Sequence, residues 1–194
     1  MHWLIPKRPT RLPFRRYVAR AAVALVYRHD DRGREELLFI QRAHRPGDPW
    51  SGDMAFPGGR LQADDDSSRG AAVRETLEET GLDLRQFGRY ERRLADVLTR
   101  HHSRWRPMVV SPYVFSWQGP ATAVLNHEVQ KVVWVPLDYL RNPAHRSIRL
   151  WQTPLGELRL PCYRYQGHCI WGLSYSMLQD FLANYRAADK KKAG

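Results

Sequence analysis

Short apolar runs alternate with polar segments along the chain, and the pattern predicts strands and helices in alternation. Val18 to Arg28 is a nearly continuous apolar run, the signature of a buried strand, and Asp30-Asp31-Arg32-Gly33 is a turn. Glu36 to Arg42 reads as the returning strand, so 18–42 is expected to form a hairpin. Ala43 to Asp66, rich in Gly, Pro and Asp, reads as a loop. Ser67 to Thr80 reads as a helix, with N-cap side chains on offer from Asp66, Ser67 and Ser68 and a glycine stop at Gly81. Leu94 to Thr99, Met108 to Trp117 and Val129 to Val135 read as strands, and Pro107 and Pro112 place the middle one at an edge or a bulge. Leu137 to Leu140 reads as a short helical turn. A hairpin is expected from Ile148–Leu150 and Glu157–Leu160 around Pro154-Leu155-Gly156, and a last short segment begins at Cys169 to Trp171. Leu173 to Tyr185 closes the chain as a helix. Its Leu173, Met177, Leu178, Phe181, Leu182 and Tyr185 recur at three- and four-residue spacing, which is a core stripe.

Composition narrows the class. A chain of 194 residues with 43% hydrophobic and 26% charged positions is a globular domain with arms and not a disordered one. The longest clean apolar run, Ala21 to Tyr27, is far short of the roughly 20 residues that span a bilayer. Met1 to Pro6 is too short for a secretory signal. Residues 1–17 read as a basic arm rich in Pro and Arg, 18–186 as the domain, and 187–194, with Lys190, Lys191 and Lys192, as a basic tail. Cys162 and Cys169 are too few for a disulfide scaffold and read as reduced thiols of a cytoplasmic protein. The net charge of +11 favours anionic partners: phosphates, nucleotides, nucleic acid or an anionic membrane surface.

The chemistry concentrates between Gly58 and Leu82. Glu75, Glu78 and Glu79 stand at i, i+3 and i+4, so a helix places all three carboxylates on one face. Alone they read as a solvated acidic face whose like charges repel. A cation relieves that repulsion, and an oxygen-only donor set suits Mg²⁺ or Mn²⁺ rather than zinc. The context favours the cation: Arg74 stands beside the glutamates, Gly58 and Gly59 let backbone come close to a metal or phosphate, and a helix N-terminus lies near.

These residues resemble the Nudix box. Gly59 begins it and Arg74-Glu75-Thr76-Leu77-Glu78-Glu79-Thr80-Gly81-Leu82 ends it, with Thr76 at a position that is usually more apolar. Asp65 stands at the first acidic position, with eight residues and not seven between it and Arg74, and this variation is similar to the coenzyme A pyrophosphatase branch. Ala55-Phe56-Pro57-Gly58-Gly59, the strand ending Leu38-Phe39-Ile40-Gln41-Arg42-Ala43, Val133-Trp134-Val135-Pro136-Leu137 and His168-Cys169-Ile170-Trp171-Gly172-Leu173 resemble that branch too. Ile40 and Gly47 depart from it, standing where the branch carries Thr and Arg. One extra residue lies between Asp48 and Gly52.

The resemblance implies an α/β fold, a Nudix-type α/β/α sandwich with a central mixed sheet and a loop-helix-loop. It implies Mg²⁺- or Mn²⁺-dependent hydrolysis of a pyrophosphate bridge, with coenzyme A or an acyl-CoA split into 3′,5′-ADP and 4′-phosphopantetheine. Glu75, Glu78 and Glu79 are the implied metal ligands, the Gly59 carbonyl an extra one, and Arg74 the residue that orients them. Asp65 and Glu128 are further candidate carboxylates, and Asp66 a helix cap. Arg42, Arg45, Arg60, Trp50 and His101 are candidates for substrate binding. Trp50 suits either adenine stacking or burial against the Pro57 turn, and His101 and His102 sit among Arg100, Arg104 and Arg106. Three alternatives stay open: another nucleotide substrate such as NADH, ADP-ribose or a dinucleotide; an RNA-associated protein gripping phosphates with its basic arms; and a nucleotide-binding module without catalysis, which the intact glutamates argue against. A homodimer is expected by analogy with Nudix relatives.

Overall fold

The computed structural model describes residues 10–13, 15–48, 50–100, 107–153 and 156–192, the side chains of 16, 100 and 186–192 excepted. Its frame is a mixed sheet. Strand β1 (Ala19–His29) pairs antiparallel with β2 (Glu35–Arg42), as the hairpin reading expects, through a turn in which Asp30 accepts from the Arg32 and Arg34 amides. The short strands β3 (Met54–Ala55) and β4 (Gly58–Arg60) pair with β2 and β1. Helix α1 (Ser68–Thr80) follows. Then come β5 (Gly88–Arg93), β6 (Val97–Arg100), β7 (Pro107–Trp117) and β8 (Val129–Pro136). The strand order is β3-β2-β1-β7-β5, with β6 also on β7 and β8 also on β2, and β1 runs parallel to β7.

Helices cover both faces. Ala71 and Ala72 of α1 lie on Ala22, Ala24, Val26, Tyr113 and Phe115, where small side chains permit a close approach. The opposite face carries α2 (Leu137–Arg141) and α3 (Gly172–Lys192), whose Met177, Leu178, Phe181, Leu182 and Tyr185 pack on Leu25, Phe39, Val114 and Val135. The core stripe read from the sequence is this contact, except for Leu173, which is 37% exposed, and the α/β/α sandwich is the observed architecture. A second sheet, β9 (Arg146–Thr153), β10 (Gly156–Tyr165) and β11 (His168–Trp171), stands beside it in the order β11-β10-β9. Gln166 and Gly167, both at positive φ, form the two-residue turn between β10 and β11. Pro154 and Leu155, at the expected hairpin tip, lie outside the described residues.

Four expectations change. Ala43–Asp66, expected as a loop throughout, carries β3 and β4, short rungs added to β2 and β1. Gly88–Arg93 is a strand although its polar sequence hid it, and Leu94–Asp96 is a break between strands. Pro112 is not on an edge: β7 lies between β1 on one side and β5 and β6 on the other. The break explains how the proline is tolerated. Pairing passes from Val97↔Val110 to Arg93↔Tyr113, and the Pro112 carbonyl accepts from the Leu94 N–H at 3.0 Å, so the missing N–H faces the gap in the ladder. Helix α3 continues past Tyr185 to Lys192, so residues expected as a separate tail extend the helix.

The described part of the N-terminal arm is anchored at Asp96. That carboxylate, fully buried, accepts from the Leu12 N–H at 3.0 Å, from Arg15 at 3.4 Å, from the Ser111 hydroxyl at 2.6 Å and from Arg93. Residues 1–9 lie outside the described part. Cys162 and Cys169 are free thiols. No described helix is long and apolar enough to cross a membrane.

Candidate functional site

The carboxylates are placed by the two ends of helix α1 and by a turn laid along strand β1. Ser67 caps the helix, its hydroxyl accepting from the Gly70 N–H at 2.9 Å, and Gly81 ends it at φ 72° with its N–H on the Leu77 carbonyl. Asp66 is not the cap; its carboxylate accepts from the Ser67 hydroxyl instead. Thr76 and Thr80, fully buried, satisfy their hydroxyls on the carbonyls of Ala72 and Thr76. A polar residue therefore fits at position 76 without an orphaned group.

Gly58 and Gly59 bring the turn onto this helix. A Cβ on Gly58, at φ 150°, would sit 2.2 Å from the Ala22 carbonyl oxygen and 2.6 Å from the Val23 Cα. A Cβ on Gly59 would sit 2.4 Å from a Glu75 oxygen. Only bare backbone allows β4 to pair with β1 and still touch the glutamates. The Gly58 N–H donates to Glu79 Oε2 at 2.8 Å.

The three glutamates sit in different surroundings. Glu79 is 6% exposed, and burial pushes its carboxyl up to about 8; the Gly58 N–H opposes the rise, Glu75 and Glu128 add to it, and Arg42 lowers it. Glu75 is also raised, chiefly by burial, with Arg74 opposing and Glu78 and Glu128 adding. Glu78 lies half in solvent, its side chain 49% exposed. Arg74 ties the group together: it donates to both oxygens of Asp65 at 3.0 Å, to Glu75 at 3.0 Å, to Glu78 at 3.1 Å and to the Arg60 carbonyl at 3.2 Å. Asp65 is held low by Arg74. Its two oxygens are committed to that guanidinium, so Asp65 serves as the clamp of Arg74 and not as a further carboxylate facing the site.

Glu128 arrives from a loop stitched to the end of α1. The Val124 N–H donates to the Thr80 carbonyl at 2.9 Å and the Asn126 N–H to the Glu79 carbonyl at 3.4 Å. The loop thus caps the helix and delivers Glu128, whose charge raises both Glu75 and Glu79. Arg45 pairs with Glu128 at 2.9 Å, and the Ala43 N–H donates to the Glu128 carbonyl. Arg42 pairs with Asp48. Trp50 is 37% exposed on the same loop, and the Arg60 side chain is exposed. His101, with its neighbours His102, Arg104 and Arg106, lies outside the described residues.

Among the described residues no three His, Cys, Asp or Glu side chains stand as a ready metal cage. Arg74 and the Gly58 N–H hold the glutamates in this structure. The donor set nevertheless fits a hard divalent cation: it is all oxygen, and it includes a carboxylate that burial, with the charges of Glu75 and Glu128 adding, keeps protonated well above the usual range.

The sequence reading missed Arg149, Trp151 and Trp171. Arg149 donates to Asp53 at 2.7 Å and lies 4.0 Å over the Trp171 ring, and the two indoles are 4.7 Å apart. The Asp53 carbonyl accepts from the Arg42 N–H, which links this aromatic cluster to the loop beside the carboxylates. Alternation along β9 signals that Arg149 and Trp151 share a face; the approach of Trp171 depends on pairing through β10.

Comparison with known proteins agrees with this geometry. The NUDIX domain model matches residues 18–154. A probable Nudix hydrolase of Schizosaccharomyces pombe is 32% identical over 144 residues, 74% of this chain and 47% of that protein. An uncharacterized protein of the same yeast is 37% identical over 113 residues, 55% of this chain and 33% of that protein. The chain thus spans half or less of the length of these curated relatives. A Caenorhabditis elegans Ap4A hydrolase, solved as a binary complex, shares the fold with a TM-score of 0.53 at 22% identity, covering 63% of this chain and 83% of that one. With the box residues drawn together on α1 and the family model spanning most of the sandwich, the chain belongs to the Nudix family.

Proposed function

We propose that this chain hydrolyses the phosphoanhydride bond of a nucleoside diphosphate linked to a second group, with coenzyme A or an acyl-CoA as substrate. The observation that carries the reading is the convergence of Glu75 and Glu79 on the Gly58–Gly59 backbone, with Glu128 near enough for its charge to raise both and with Glu79 buried and protonated to about pH 8. A divalent cation, Mg²⁺ or Mn²⁺, suits those oxygens, and when bound it neutralises phosphate charge and lowers the pKa of a bound water. Glu75, Glu78, Glu79 and the Gly59 carbonyl are the groups that would hold it. Arg74, clamped by Asp65, fixes the rotamers of Glu75 and Glu78. Arg42 and Arg45 flank the carboxylates as cations for the substrate phosphates.

The coenzyme A reading is supported by the Ala55–Gly59 segment and by the Asp65–Arg74 spacing. Gly47, where that branch carries an arginine, sits at φ 79°, a conformation that side chains rarely adopt. Arg45, two residues earlier, is the cation that takes its place.

Product analysis by mass spectrometry tests this. Full-length protein with Mg²⁺ or Mn²⁺ is given coenzyme A, acetyl-CoA, NADH, ADP-ribose, a dinucleoside polyphosphate and triphosphorylated RNA. The expected result is 3′,5′-ADP and 4′-phosphopantetheine from coenzyme A, with kcat/KM about 10³-fold lower in Glu79→Gln. Turnover of another panel member alone overturns the coenzyme A reading, and turnover of none overturns the hydrolase.

A further inference from the structure

The other end of α1 is basic. A cavity of about 490 Å³ opens there, lined by Arg11, Ser67, Arg69, Tyr90, Arg92 and Arg93 and floored by Tyr113. Among the described residues its lining holds four guanidinium groups and no carboxylate. Eight residues of helix, about 12 Å of rise, separate Ser67 from Glu75, so it is distinct from the carboxylate cluster.

Arg93 is the telling residue. It is 8% exposed, and one nitrogen, Nη2, donates to Asp96. Its Nε and Nη1 are buried with no hydrogen-bond partner among the described residues. Asp96 also serves Leu12, Arg15 and Ser111. A buried guanidinium with open donors calls for an acceptor. The helix adds to this, since its N-terminal amides are partially positive and its first turn carries no acid. Arg69 lies 4.8 Å over the Tyr90 ring, and Tyr90 stands 6.4 Å from Tyr113, so flat surfaces border the cationic pocket. The volume suits a small molecule and far exceeds a bare phosphate. Arg11, from the described part of the arm, stands at the same place, giving part of the chain's positive charge a specific position.

We propose that this cavity binds a nucleoside monophosphate, its phosphate on Arg93, Arg69 and Arg11 and its base against the tyrosines. The site needs no metal and no turnover.

Isothermal titration of the full chain in EDTA tests it, with AMP, inorganic phosphate, adenosine and a short RNA as titrants. AMP is expected to bind once per chain, more tightly than phosphate or adenosine and more weakly at high salt. Arg93→Met is expected to weaken AMP at least about tenfold, because charge-assisted hydrogen bonds are lost. Arg11→Ala with Arg69→Ala changes exposed side chains only, so it tests the pocket even where Arg93→Met does not fold, and is expected to weaken AMP several-fold. Glu79→Gln is expected to bind AMP as the wild type does. No AMP binding, binding that survives both arginine variants, or binding lost in Glu79→Gln overturns the proposal. So does RNA binding with AMP silent, which would make the face a nucleic-acid groove.

Discussion

The two ends of α1 are built in opposite ways, and both run against the helix dipole. That dipole favours acids in the first turn and bases in the last. Here the first turn has no acid and faces arginines, while the last turn has no base and carries Glu78 and Glu79. Helix electrostatics therefore cannot account for the stability of this element. It is held by packing and by hydrogen bonds: Ala71 and Ala72 on the sheet, buried Thr76 and Thr80, the Ser67 cap, and the 124–126 loop on its last carbonyls. The charges at each end are left for something outside the helix. At the acidic end Arg74 meets part of that need from within the chain; at the basic end Arg93 keeps open donors.

The contrast can be broken by titration. In the metal-free protein, Glu79 holds a proton up to about pH 8, whereas an unfolded glutamate releases it near 4.5. A raised acid stabilises the folded state only while protonated, so stability falls as pH rises through that window and the contribution is gone above 8. The expected loss is on the order of 3 kcal/mol between pH 4.5 and 8.5. Urea unfolding in EDTA at the two pH values reads it, and Glu79→Gln should flatten the profile. A wild-type profile that is already flat would mean that the acidic end is not strained.

Arg74→Lys sharpens the acidic side. A lysine reaches one carboxylate at a time and loses the two-point grip on Asp65. Glu75 and Glu78 then lose their fixed rotamers, and kcat is expected to fall about 30-fold, roughly 2 kcal/mol, with little change in KM. A matching rise in KM with kcat unchanged would make Arg74 a substrate contact and not a positioning residue. Smallest is Ser67→Ala, which removes the cap at the basic end. It should cost about 1 kcal/mol by urea midpoint and leave turnover intact. A loss of turnover instead would show that the two ends are coupled.

Local signals made α1 readable. Its cap residues, its glycine stop and the i, i+3, i+4 glutamates are all properties of neighbouring positions, and of these only the cap assigned to Asp66 moved, to Ser67 one residue on. Asp65 was legible only as an acid near the box; that it grips Arg74 depends on the path of residues 61–66. Gly88–Arg93 reads GRYERR, with no apolar alternation, and is a strand because β7 offers it a partner. Pro112 pointed to an edge or a bulge without saying which, because the break that spares it, Leu94–Asp96, is on another segment. Arg93 and its cavity could not be seen at all, since its surroundings come from residues 11, 67, 69, 90, 92 and 113.

Gly58 carries one last consequence. Its backbone is at once a rung of the sheet and the donor that holds Glu79, and there is no room for even one more carbon atom. Fold and chemistry therefore share a single point where evolution has no slack. Sequence change near the carboxylates is therefore more readily absorbed at exposed loop positions such as 44–47 than at this turn.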